Sequence, residues 1–341
     1  MINVAATSPG FEISALETCD FSSLNALYNI DVLQLAGQQK ADKMAKFIEE
    51  KMGAWRRFHI DESGSALDLA RQALSALVDK NPSILAEADF FIYAGISNPM
   101  PVATHSALLA SEFGFHQPSC WDIKSGCSSG VLALIQANAW LQMGAQKGVI
   151  VASETLTKFA DPKTLQMSAA VGDGAAALVV ERSDRWRLKS AVHGTDPKHV
   201  HSMLVKGTIP VRNEDYQREN FRFSFQEKSD LVQALSHYWM KSLQDLLKGA
   251  TISGSEIQHY IAHQVDAGKN AAVAAACDIP DSSVAKCFRE FGNMGCPTIF
   301  VNYQQWFANP ERQIQQGDHM VLHAVGGGLS WAGLCLEYTG D

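Results

Sequence analysis

The sequence predicts an α/β protein made of two similar halves, and three observations carry that prediction. Short β-rich apolar runs alternate with longer stretches of helical periodicity, as they do where strands are buried between helices. A strand, a glycine turn and a second strand occur twice, once near the middle of the chain and once at its end. The 341 residues, 46% hydrophobic and 19% charged, suffice for a large buried core and correspond to about two structural units.

In chain order, the periodic stretch Ala66–Val78 predicts a helix and the apolar run Phe90–Ala94 a strand. A helix over Ala107–Phe113 follows, then an extended segment, Ser119–Lys124, and a long apolar helix from Ser129 to Met143. Gly148–Ala152 reads as a strand; after an insertion come the turn Gly172-Asp173-Gly174 and the strand Ala175–Val180. The stretch from His193 to Phe225 is charged and irregular, with Pro197 and Pro210, and reads as a surface excursion of the kind that carries binding groups. Beyond it lie a helix over Leu231–Leu247, a strand over His259–Ala262 and a helix over Thr298–Phe307. The strand Met320–Val325, the turn Gly326-Gly327-Gly328 and the strand Gly333–Tyr338 complete the second copy of the pattern. The echo divides the chain into halves 1–182 and 183–341, and with no low-complexity linker between them the halves are expected to pack as one body.

A formal charge of −8 opposes sequence-independent attraction to nucleic acid or anionic membrane, so an anionic partner needs a local basic patch. Seven cysteines, with no pair at the two-residue spacing of a zinc ribbon or thioredoxin-like site, point to reduced thiols in a cytoplasm, with no metal. Met1–Cys19 carries no lysine or arginine and no continuous apolar run, so neither a secretory leader nor an anchor is expected. No run of about 18 apolar residues occurs elsewhere, and no membrane span is predicted.

The strongest chemical signal is Ser125-Gly126-Cys127-Ser128-Ser129-Gly130, between an extended segment and a helix. A cysteine there meets unpaired N–H groups and the positive end of the helix dipole, which favour thiolate, so Cys127 is a candidate nucleophile. The alternative is a small buried hydrophobe, as for Cys120, Cys277, Cys287 and Cys335. The same residues satisfy G-x-S-x-G, with Ser128 as a hydrolase nucleophile and Asp173 and His263 as its partners. Against that reading, Pro118, Trp121, Asp122 and Lys124 make a poor central buried strand. His263 directly follows the apolar run Tyr260-Ile261-Ala262, at the strand end where α/β folds place ligands; a structural histidine is the alternative. Asn293, in Gly292-Asn293-Met294-Gly295-Cys296-Pro297, is either a helix-entry turn residue or an amide donor aimed into a site. Gly326-Gly327-Gly328 is a tight hairpin or a backbone oxyanion hole.

Taken together, Cys127, His263, Asn293 and the terminal glycine turn resemble the β-ketoacyl-acyl-carrier-protein synthase III branch of the thiolase superfamily. Gly53-Ala54-Trp55-Arg56-Arg57 resembles the family's Gly-Ile-x-x-Arg segment, and Val171-Gly172-Asp173-Gly174-Ala175-Ala176-Ala177 its Phe-Gly-Asp-Gly-Ala-Gly-Ala turn. His263-Gln264-Val265-Asp266 is similar to His-Gln-Ala-Asn, Gly292-Asn293 to the Gly-Asn pair, and Val325–Trp331 to Phe-Gly-Gly-Gly-Phe-Thr-Trp. The resemblance runs almost end to end. It implies a duplicated five-layer α/β/α/β/α thiolase-like fold and a homodimer. It also implies that Cys127 takes an acyl group from acyl-CoA or acyl carrier protein, with the N–H groups of Cys127 and Gly327 as oxyanion hole. His263 and Asn293 would then stabilise the enolate formed by decarboxylation of a malonyl or β-ketoacyl extender. Coenzyme A and phosphopantetheine thioesters enter as substrates, with no cofactor. Arg56, Arg212, Arg218, Asn220, Arg222 and Lys269 would meet pantetheine phosphates or the carrier, and the Pro99–Val102 loop, with Met100 and Val102, would close the partner subunit's acyl pocket.

Departures from the family pattern imply a specialised relative in lipid or polyketide metabolism. The family's usual turn is Ala-Ala-Cys-Ala-Gly, richer in apolar groups than the turn around Cys127. Asp266 replaces Asn, Gly268 stands where an arginine is common, with Lys269 next to it, and no tryptophan stands near Phe47 to stack an adenine. Transfer without decarboxylation, serine hydrolysis through Ser128 and an inactive partner subunit of a heterodimer are the alternative readings.

Overall fold

Most of the apolar runs become strands covered on both faces. The computed structural model describes residues 9–37, 41–161, 164–207, 221–225 and 228–340. The first half holds β1 (Pro9–Thr18), β2 (Asn25–Tyr28), α1 (Asn29–Leu35), α2 (Ala41–Met52), β3 (Arg56–His59), α3 (Ala66–Lys80) and α4 (Ile84–Glu87). β4 (Phe90–Ala94), α5 (His105–Phe113), β5 (Ser119–Ile123), α6 (Ser129–Gln142), β6 (Lys147–Thr155) and α7 (Leu165–Ala170) follow. β7 (Asp173–Thr195) passes into the second half, which adds β8 (Met203–Val205), β9 (Phe223–Phe225), α8 (Lys228–Ala250) and β10 (His259–Ala262). α9 (Ala267–Ala276), α10 (Phe288–Phe291), α11 (Thr298–Phe307), β11 (His319–Gly326) and β12 (Ser330–Tyr338) complete it.

The main sheet runs β10-β11-β12-β7-β6-β4-β5, with β1 also on β7. Its two ends repeat one pattern. β4 lies parallel to β5 and β6, and β6 is antiparallel to residues 173–181 of β7. In the second half β10 lies parallel to β11, β11 is antiparallel to β12, and β12 is antiparallel to residues 186–195 of β7. Val284 bridges Tyr260 in parallel, as β5 does β4. The expected border at 182/183 therefore falls inside β7, so one continuous strand joins the two halves.

Side-chain alternation along the strands separates the layers. Phe90, Ile92 and Ala94 of β4, Met320, Leu322 and Ala324 of β11 and Ala332, Leu334 and Leu336 of β12 face one interior core, filled by α6 and α11. Phe91 and Tyr93 face outward onto α3 and α5. Val321, Val325 and Cys335 face outward onto α8 and α9. The five layers α/β/α/β/α follow from those three cores, and α6 is apolar nearly all round because both of its sides are covered.

β4, β10 and α11 keep the expected bounds, β5 and α6 stop one residue short, and α3, β6, α8, β11 and β12 run a few residues past them. β1 gives no apolar run because Glu12, Ser14, Glu17 and Thr18 interrupt it at the sheet margin. α2 buries only Ile48 among its described side chains, so its periodicity carries little signal. In the excursion, β7 runs on to Thr195, a 3-10 turn covers Pro197–Ser202, and β8 pairs with β9. No helix among the described residues is long and apolar enough to cross a membrane.

Candidate active site

Between the end of β5 and the start of α6, the chain turns at Gly126 with φ of +56°, a conformation that suits glycine. The turn meets the glycine turn after β11 with nothing between them. A Cβ at Gly126 would stand 2.7 Å from the Gly327 carbonyl, and one at Gly326 would stand 2.5 Å from the Cys127 nitrogen. The backbone N–H groups of Gly327 and of Cys127 itself both bear on the Cys127 sulfur. Met203, on β8, lies over Gly327. Cys127 from the first half and Gly327 from the second thus form one site.

Cys127 keeps some accessible surface, yet protein closes round its thiol. Burial pushes that thiol up to about 12, and the Glu154 carboxyl adds to the rise, while the Gly327 and Cys127 N–H groups act in the opposite sense. In place of the thiolate expected at the helix end, burial and the Glu154 carboxyl outweigh the two backbone donors and favour the thiol.

His263 directly follows β10, and its backbone N–H donates to the His323 carbonyl at 2.8 Å. Its ring is 1% exposed and neither nitrogen makes a hydrogen bond of normal geometry, although the Gly295 backbone stands close to it. Burial pushes its pKa down to about 4, so the imidazole is neutral at physiological pH. A buried ring with open donor and acceptor positions is poised for a ligand.

Asn293 is held by the turn that precedes β7. Its N–H donates to the Ala170 carbonyl at 2.7 Å and its carbonyl accepts from Gly172 at 3.0 Å. Its Oδ1 accepts from the Gly295 N–H at 2.8 Å, which orients the amide and leaves Nδ2 as the donor. The following residue but two, Cys296, packs its carbonyl against Gly130 at the start of α6, so this turn closes on the nucleophile helix. The sequence reading missed the floor of the site. Glu154, fully buried at the end of β6, accepts from the N–H groups of Ile96 and Ser97 at 2.9 Å and from Ser97 Oγ at 2.5 Å. The Cys296 thiol reaches it at 3.5 Å, and burial pushes its carboxyl up to about 7. Its place at the end of a buried strand was the available signal.

The serine-hydrolase arrangement is not assembled. Ser128 Oγ is 1% exposed and bonded to the Ser125 carbonyl and Ser330 Oγ. Asp173 accepts from Ile60 and Thr157, and no bond joins it to His263. β5, moreover, stands at the sheet margin and not at its centre.

The peripheral residues are dispersed. Arg56 pairs with Glu290 at 3.1 Å and lies over Trp55 and Phe58. Arg222 donates to Asp161 at 2.7 Å. Lys269 lies in the first turn of α9, where its N–H donates to Asp266 at 2.7 Å and its ammonium lies 3.8 Å from the same carboxylate. Arg212, Arg218 and Asn220 lie outside the described residues. Met100 and Val102 are 42% and 93% exposed on the loop between β4 and α5.

Residues 121–197 match the family model of 3-oxoacyl-[acyl-carrier-protein] synthase III, and residues 247–338 match the model of its C-terminal part. The β-ketoacyl-[acyl-carrier-protein] synthase III of Streptococcus gordonii is 22% identical over 298 residues, 87% of this chain and 91% of that protein. The crystal structure of 3-oxoacyl-[acyl-carrier-protein] synthase III from Aquifex aeolicus superposes with a TM-score of 0.83 at 20% identity, covering 96% of this chain and 100% of that one. The priming β-ketosynthase of the R1128 polyketide pathway gives 0.84 at 18% identity, covering 98% of each chain. Duplicated halves around a shared layer of helices are the fold of the thiolase-type condensing enzymes. Within that class the chain is a β-ketoacyl-acyl-carrier-protein synthase III-like enzyme, and so an acyltransferase.

Proposed function

We propose that Cys127 accepts an acyl group from a coenzyme A or carrier-protein thioester and passes it to the enolate of a malonyl-type thioester. The contact of the Cys127 and Gly327 turns and the buried, unpartnered ring of His263 support this reading most directly. In the first step the sulfur attacks the thioester carbonyl, the N–H groups of Cys127 and Gly327 receive the oxyanion, and the donor leaves as a thiol carrying the Cys127 proton. In the second, His263 and the Asn293 Nδ2 donate to the extender's thioester oxygen while CO2 departs. The resulting carbanion attacks acyl-Cys127, and the carbon–sulfur bond breaks to free the cysteine. Neutral imidazole suits this role, since it stabilises an oxyanion without surrendering its proton.

The specialised substrate class draws support from the hydroxyl-rich turn around Cys127 and from Gly268 in place of the family's usual arginine. Arg222 and Lys269, with Arg212 and Asn220, are the candidate contacts for the phosphates or the carrier. A homodimer in which Met100 and Val102 of each copy reach the other's pocket agrees with the exposure of both side chains. Screening acyl-CoA and acyl-carrier donors by intact mass tests the reading. Wild-type protein is expected to gain one acyl group and Cys127→Ala none; an unchanged adduct in the variant sinks it. Release of CO2 on adding a malonyl thioester distinguishes condensation from simple transfer.

A further inference from the structure

We propose that Ser128 and Ser330 form a bracket between the two halves, holding the N–H groups of Cys127 and Gly327 at the separation acyl transfer needs. The inference rests on the reading of Cys127 as acyl acceptor and makes both serines positioning residues. Ser330 begins β12, three residues beyond Gly327, and Ser128 adjoins Cys127. Their hydroxyl oxygens lie 2.9 Å apart, and each stands 2.7 Å from the Ser125 carbonyl, whose two lone pairs can accept both. The residues are 1% and 4% exposed. On the other side of the turn, the Ser125 N–H donates to Ser129 Oγ at 2.7 Å, and that hydroxyl donates to the Gly126 carbonyl at 2.7 Å.

The need for such a restraint follows from the contact itself. The two turns touch through Gly126 and Gly326, where any Cβ would clash with main chain. Glycine permits the approach but supplies no side chain to interlock it, and its backbone is the freest of all. An oxyanion hole stabilises charge only when its donors are held in place before the charge appears, and small displacements are costly. Ser330 crosses from the start of β12 to the nucleophile turn, where its hydroxyl and that of Ser128 meet on the Ser125 carbonyl beside the glycine contact. The hydroxyls that distinguish this turn from an alanine-rich one are thereby assigned to main-chain positioning, with Ser128 excluded as a nucleophile.

The test compares two reactions of one sulfur. Acylation by a thioester puts negative charge on the carbonyl oxygen. Alkylation by iodoacetamide forms the sulfur–carbon bond as iodide leaves, with no charge on that oxygen. In Ser330→Ala, acylation of Cys127 is expected to slow about 10- to 100-fold through kcat at unchanged KM, while alkylation, followed on the Cys127 peptide by mass, stays within about twofold of wild type. Ser330→Thr, which keeps the hydroxyl, restores acylation; Ser128→Ala removes the other arm and serves if Ser330→Ala does not fold. Unchanged acylation, or an equal fall in acylation and alkylation, overturns the bracket. Wild-type protein that takes an acyl group from no thioester overturns the reading of Cys127 itself.

Discussion

Cys127 stands at a helix N-terminus, yet its thiol is pushed up to about 12 because burial and the Glu154 carboxyl outweigh the backbone donors. The resting cysteine is then a thiol at neutral pH, and only the small thiolate fraction reacts. Its alkylation rate is expected to climb with pH through pH 9 without levelling near neutrality, and Glu154→Gln, by removing a like charge, to raise the rate at pH 8. A plateau below pH 8 in wild type contradicts this. His263, depressed to about 4, stays neutral from pH 5 upward, so its titration leaves no inflection in condensation between pH 5 and 8. His263→Ala and Asn293→Ala are each expected to slow condensation about 100- to 1,000-fold while acyl-Cys127 still forms, as intact mass reports. Retained condensation in either variant removes that residue from the mechanism. These three residues were legible as candidates because each sits beside a strand or helix end marked by glycines or apolar runs. Glu154 and Cys296 were not, since their significance lies in meeting each other across 142 positions of chain.

Among the elements, strands buried on both faces were legible as continuous apolar runs, and β4 and β10 begin and end where those runs do. Margins were not: β1 and β2 mix polar with apolar residues because one side of each meets solvent or loops. The glycine turn after β11 could be read only as a hairpin or a donor site, and its approach to Gly126 decides between them. Gly326→Ala is expected to force the two turns apart, cutting thioester acylation at least about 100-fold and destabilising the protein by about 2 kcal/mol. Thermal unfolding and acylation kinetics measure the two effects. A variant acylated at the wild-type rate shows that the turns need not touch for function.

For the whole molecule, the interior core is common property: Phe90 and Val131 of the first half pack in one cluster with Phe300 and Leu334 of the second. Stability and the site therefore depend on both halves together. Buried titratable groups also shape its response to pH. His263 and His323, depressed to about 4 and 3, bind protons in the unfolded chain below about pH 6.5 but not in the folded one. Their contribution is full above that pH and is lost on acidification. Glu154 and Asp173, raised to about 7 and 6, act oppositely, with a contribution full below about pH 4 and lost as pH rises through those values. The two sets oppose each other between about pH 4.5 and 6.5, and below that window only the histidines still act. The melting temperature is expected to change little from pH 6.5 to 5 and to fall steeply below pH 4.5 in calorimetry; a rise there contradicts the assignment of both histidines as neutral.

The sequence by itself determined the α/β class, the duplication, the nucleophile turn and the strand-end histidine, because apolar periodicity and glycine placement are local properties that survive in one dimension. Only the tertiary structure decided that β7 runs through the border between the halves, that Cys127 is a buried thiol over Glu154, and that Ser128 binds main chain. Those outcomes depend on desolvation and on distances between segments far apart in the chain, and no local pattern records either.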